Sequence, residues 1–86
     1  MYIYEFEEIG TKCYYEVTEN KLTKEDLKNR NFYFDKVNVY NTDKIVVNDT
    51  EYTDVHMINK ELTDDNIKAY VDDMRYDIFD EQIVLK

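Results

Sequence analysis

Only two side chains in this 86-residue sequence suit nucleophilic chemistry, Cys13 and His56. A thiolate–imidazole pair needs the two groups in contact and an oxyanion hole, normally built by a glycine-rich turn or a helix N-terminus. The sequence holds a single glycine, Gly10. Cys13 alternates with Tyr15 and Val17 on a strand-like face, which predicts a buried, inert thiol. His56 alternates with Asp54 and Ile58, the setting of a surface imidazole beside an acid. Metal chemistry has no better footing. Asp64-Asp65 and Asp72-Asp73 are paired acids, but Asp43, Asp49 and Asp54 lack the spacing and the central glycine of an EF-hand loop. No Cys/His cluster has zinc spacing. A phosphate-cradling glycine loop and a basic patch are both absent, so neither a cofactor nor direct nucleic-acid binding is expected. The chain reads as a non-enzyme.

What the sequence has in quantity is negative charge, 20 Asp and Glu against 11 Lys and Arg. Between Asp64 and Glu81 stand seven acids and two bases, more than half of the whole excess of nine. At about 100° per residue, Asp65, Asp72, Asp73, Tyr76 and Asp80 fall on the face of a helix opposite its apolar stripe, with Asp77 one turn after Asp73. Like charges at that spacing each cost an isolated helix a few tenths of a kcal/mol. The plain reading is a solvated helix face, with Asp64 and Asp65 complementing the helix N-terminus. A second acidic group, Glu5, Glu7, Glu8, Glu16 and Glu19 around the first hairpin, favours a functional surface. Tyr14, Tyr33, Tyr52 and Tyr76 lie near polar faces, and exposed Tyr among acids suits a protein interface. The candidate partner-binding set is therefore Asp65, Asp72, Asp73, Tyr76, Asp77 and Asp80, with Glu5, Glu7 and Tyr14.

The elements that position these residues follow from periodicity. Residues 2–9 and 11–18 alternate around Gly10 and predict a β-hairpin, with Tyr2, Tyr4 and Phe6 on one face and Ile3, Glu5 and Glu7 on the other. Thr23 opens a short helix over 23–30. Residues 31–40 read as a strand whose apolar phase slips between Phe32/Phe34 and Val37/Val39, which predicts a bulge near Asp35-Lys36. Residues 44–48 and 51–58 form a second hairpin around Asn48-Asp49, with Val55 and Met57 inward. Thr63 opens the main helix, 63–79, whose stripe is Ile67, Tyr70, Val71, Met74 and Ile78. Residues 82–86 return as a last strand. Hairpin, then Leu-Thr, then helix occurs twice, pairing Phe6 with Val46, Tyr15 with Val55, Val17 with Met57 and Leu27 with Ile67. A diverged duplication and chance explain this equally well.

The fold class expected is α+β: one domain over 1–86, an antiparallel sheet of about four to six strands from two hairpins, and one short and one longer acidic amphipathic helix packed on it. Thirteen aromatics and the absence of proline argue against a disordered acidic tail. The first residues show no signal-peptide pattern and no apolar run is long enough to span a membrane, so a cytoplasmic location in a bacterial host is expected. A free sheet edge from 2–9 or 82–86 would suit a homodimer, and the sequence leaves that state open.

An acidic surface repels nucleic acid and anionic membrane and attracts basic partners. In size, in acidity and in a residue bias typical of AT-rich coding sequences, the chain resembles phage-encoded host-defence antagonists, including anti-CRISPR proteins and inhibitors of restriction or repair enzymes. That resemblance implies a non-enzymatic inhibitor that occupies the basic groove of a nucleic-acid-handling protein by imitating DNA or RNA. The alternatives are an immunity-type protein neutralising a basic toxin, a scaffolding subunit of a phage or plasmid complex, and a small enzyme using Cys13.

Overall fold

Strand β1 (Tyr2–Glu7) is buried on both faces from Ile3 to Phe6, and a strand of that kind belongs inside a sheet with both faces covered. The computed structural model describes residues 1–7, 13–30 and 35–85 and places β1 there. It pairs antiparallel with β2 (Cys13–Thr18) on one side and with β3 (Lys36–Asn41) on the other. A last strand, β6 (Phe79–Val84), adds to β3, giving the order β2-β1-β3-β6. Residues 2–7 are thus no edge; the edges are β2 and β6.

Helices cover both faces. Tyr4, Phe6, Val37 and Val39 point to one side, where Leu27 of α1 (Lys24–Arg30) closes a small core. Thr23 and Asp26 cap this helix reciprocally: Asp26 N–H donates to Thr23 Oγ1 and Thr23 N–H to Asp26 Oδ2. On the other side Ile3, Val17 and Tyr40 meet Ile58 of α2 (Val55–Glu61) and Ile67, Tyr70 and Val71 of α3 (Asp64–Ile78). A two-stranded sheet, β4 (Ile45–Val47) and β5 (Thr50–Tyr52), completes that layer through Ile45. Its two-residue turn holds Asn48 and Asp49 at φ 51° and 64°, the left-handed pair that a tight hairpin requires. The α+β class and the antiparallel sheet agree with the expectation.

The main departure is at 51–58. The expected long strand stops at Tyr52, and Val55–Glu61 is helical. Asp54 decides it: its Oδ1 accepts from the backbone N–H of His56 at 2.8 Å and of Met57 at 3.3 Å, an N-cap that commits the chain to a helix. Val55, Ile58 and Leu62 then form the inward stripe, and Met57 lies 40 % exposed rather than inward. The apparent duplication fails at the same place, because Tyr15 sits in a strand and Val55 in a helix. Helix α3 starts after Thr63, whose side chain and that of Asn66 form a capping box. Strand β6 begins directly at its end, earlier than the expected 82. A register slip lies at Val39/Tyr40 opposite β6, leaving Asp80 extra between Phe79 and Glu81; the bulge expected near Asp35-Lys36 borders residues outside the described ones. Gly10, Phe32 and Phe34 fall outside the described residues.

Replacing Asp54 with Ala should lower stability by about 1 kcal/mol, the usual value of an N-cap, in urea denaturation. A strand-like 51–58 segment would leave stability unchanged.

Candidate functional site

Side chains of β1 alternate, so Glu5 shares a face with Ile3 and points toward α3. The carboxylate is 3 % exposed and five hydrogen bonds answer it. Tyr15 Oη of β2 donates to Oε2 at 2.6 Å; Asn38 Nδ2 and Tyr40 Oη of β3 donate to Oε1, each at 3.0 Å. Arg75 of α3 closes the cage as a fork, Nη1 to Oε1 at 3.0 Å and Nη2 to Oε2 at 3.2 Å. The guanidinium also donates to Tyr40 Oη and lies 5.5 Å from the Tyr40 ring centroid. Its second nitrogen reaches Asp72 Oδ1 at 2.9 Å.

This cage sets the titration of its members. Burial alone would raise Glu5, but the hydrogen bonds from Arg75, Tyr15 and Asn38 and the charge of Arg75 outweigh it and hold the carboxyl below its ordinary value. Burial and the adjacent Glu5 push the Tyr15 and Tyr40 hydroxyls up. The Glu5 hydrogen bond likewise raises Arg75. Each donor therefore stays protonated and the carboxylate ionised across the neutral range.

Glu5 was expected on an exposed acidic patch; the structure puts it inside, where no partner reaches it. The sequence showed only the face, since Glu5 alternates with Ile3 and Tyr15 with Val17, and exposed Glu7 shares it. A carboxylate on an inward face needs a cation, and Arg75 lies on the flank of the α3 stripe. Glu7 does reach solvent, at the end of β1 opposite Cys13. Tyr14 is 40 % exposed but pairs with Phe6, so it emerges on the α1 side of the sheet, away from α3. Tyr14 thus stands apart from the α3 acids.

The remaining candidates do share one region. Asp65, Asp72, Asp73 and Asp77 are exposed along α3, and Tyr76 stands 95 % exposed among them. Asp72 is taken up by Lys68 at 2.5 Å and by Arg75, which lower its pKa. Asp80, the second residue of β6, pairs with Lys21 at 3.0 Å, a lysine that also reaches Glu81 at 2.8 Å. Among the described residues, Asp65, Asp73 and Asp77 make no ion pair. Next to Tyr76, a shallow hollow of about 330 Å³ is lined by Asn38, Tyr40, Arg75 and Phe79. Phe79 is 49 % exposed and meets Tyr40 edge-on at 5.8 Å.

Cys13 and His56 are held apart. Asn59 of α2 donates to the Val17 carbonyl, so α2 docks at that end of β2, and Cys13 lies four residues, about 13 Å, further along the strand. Burial, then the charge of Glu5, push the Cys13 thiol up, the opposite of what an attacking thiolate needs. Among the described residues no group of three or more His, Cys, Asp or Glu is arranged to hold a metal ion. Among them, too, no helix is long and apolar enough to cross a membrane.

Because Glu5 is lowered in the folded chain, the unfolded chain binds the extra proton. Its contribution to stability is therefore present above the ordinary value of 4.5 and is lost as pH falls through the depressed folded value. Urea midpoints measured from pH 7 downward should fall in the native chain, and Glu5→Gln should start lower and fall less steeply. Parallel profiles would show that Glu5 does not carry the acid sensitivity.

Comparison with known protein families, with characterised proteins and with solved structures returned no match.

Proposed function

We propose that this protein is a non-enzymatic inhibitor that binds a basic nucleic-acid-handling protein, with the outer face of α3 imitating the phosphates of DNA or RNA. The observation that carries this reading is the division of the acids. Among the described residues, Lys68 and Arg75 of the helix are committed to Asp72 and Glu5, and no cation pairs with Asp65, Asp73 or Asp77, which leaves these three as an outward row around Tyr76.

That row has a cost. Asp73 and Asp77 repel each other one turn apart, and Asp77 sits in the last helical turn, where the helix dipole favours a cation. No ion pair among the described residues offsets either term, whereas a groove of arginines and lysines would. Along the helix axis Asp77 follows Asp73 by about 6 Å and Asp73 follows Asp65 by about 12 Å. Phosphates recur about every 3.4 Å of axis along one strand, so the row stands in for every second to fourth phosphate. Tyr76 supplies a rigid contact with a polar tip, and the hollow beside Phe79 a place for an apolar or aromatic side chain of the partner. Attraction of this kind speeds association and weakens with salt.

The test is capture by tagged protein from a low-GC bacterial lysate, with washes of rising salt and competing duplex DNA. The reading predicts a nucleic-acid enzyme that salt and DNA both displace. Asp65→Asn/Asp73→Asn/Asp77→Asn should weaken that binding about tenfold or more, as three interfacial charge contacts are lost, while folding stability holds or rises. Capture that resists DNA would instead indicate an immunity-type interface. Equal capture by the triple variant would overturn the role of the α3 face.

A further inference from the structure

The two edges of the main sheet are treated differently. At β2 the outward backbone groups are plugged from above: Tyr15 N–H donates to Asp64 Oδ1 at 3.3 Å and the Val17 carbonyl accepts from Asn59 Nδ2 at 3.2 Å. Side chains of α2 and α3 thus close that edge to any further strand. At β6 no element follows in the sheet order. Leu85 N–H bonds inward to the Asp35 carbonyl, so by alternation the backbone groups of Gln82 and Val84 face outward.

From Gln82 to Leu85 nothing in the strand guards that edge. The tract Gln82–Leu85 has no charge and no proline, the two usual protections against edge pairing. Phe79 and Val84 are each 49 % exposed, and with Tyr76 they make up three of the five large exposed hydrophobic residues of the described chain. The acids of the strand stand together at its start, Asp80 and Glu81, and Lys21 serves both. At its far end Lys36 of β3 pairs across to Val84, is exposed, and makes no ion pair among the described residues.

We infer that β6 is a homodimerisation edge, pairing antiparallel with β6 of a second copy about a two-fold axis at Gln82. Charge selects this occupant and this direction. Antiparallel pairing lays the Asp80–Glu81 end of each copy beside the uncharged end of the other and its Lys36, whereas parallel pairing would stack acids on acids. The axis stands perpendicular to the sheet, so the two four-stranded sheets join into one of eight strands. Both α3 helices then lie on the same side, with their acidic faces outward. The interface is self-complementary, as a two-fold contact must be. It does not rest on the proposed inhibitory function, because it uses the backbone of β6 and not the α3 acids.

Sedimentation equilibrium or light scattering of the purified chain at about 0.1 mM tests this directly. The expected mass is twice the 10.5 kDa of one chain. Val84→Lys puts a charge on the edge and should raise the dimer dissociation constant at least tenfold, since the two-fold axis counts it twice. Gln82→Pro removes an outward N–H and should do the same if circular dichroism shows that it still folds. Met57→Lys, on α2, should leave the dimer intact. A mass of one chain throughout, or a dimer that survives both edge variants, would overturn the inference.

Discussion

A carboxylate in the middle of a four-stranded sheet has to be answered from every side, and Glu5 is answered by β2, by β3 and by α3. An unpaired charge there would cost several kcal/mol; paired and fully hydrogen-bonded it becomes a fastener instead. The Arg75 fork is the only part of the cage that comes from a helix, and it reads both oxygens of the carboxylate at once. Such a contact fixes rotation as well as position. Ile67, Tyr70 and Val71 would tolerate some roll of α3 against Ile3 and Val17, because hydrophobic contact has no direction. The guanidinium does not tolerate it, and its orientation decides which acids of α3 face out.

Seen this way, the negative charge around α3 and the sheet has four separate roles. Glu5 is structural and hidden. Asp72, Asp80 and Glu81 are held in local ion pairs with Lys68, Arg75 and Lys21, contacts at the surface that are each worth a fraction of a kcal/mol. Asp64 is turned inward to close the β2 edge. The outward remainder on α3, Asp65, Asp73 and Asp77, is smaller than the sequence count suggests but more concentrated. Surface charge of that kind steers encounter with a basic partner and matters little to the fold.

Much of the fold was legible in residue periodicity. The first hairpin, the short helix after Thr23 and the stripe Ile67–Tyr70–Val71–Met74–Ile78 all follow from local pattern, and each is found. Helix α2 was not legible that way. Val55 and Met57 alternate as a strand would, and only the cap at Asp54 with Ile58 and Leu62 further on marks a helix. Seven residues are too few for periodicity to outvote alternation. The candidate site divides on the same principle. The α3 acids could be placed from a single helix, whereas Glu5 depends on partners 10, 33, 35 and 70 positions away, and no local pattern brings those together.

The direct test of this account is a double-mutant cycle on the fastener, comparing the stabilities of the native chain, Glu5→Gln, Arg75→Met and the double variant in urea. The account predicts that each single change costs more than its share, because it strands the other partner, and that the coupling between them exceeds about 1 kcal/mol. Losses that simply add would contradict it: α3 would then be held by its apolar stripe alone, and the Glu5–Arg75 pair would not determine which face it presents.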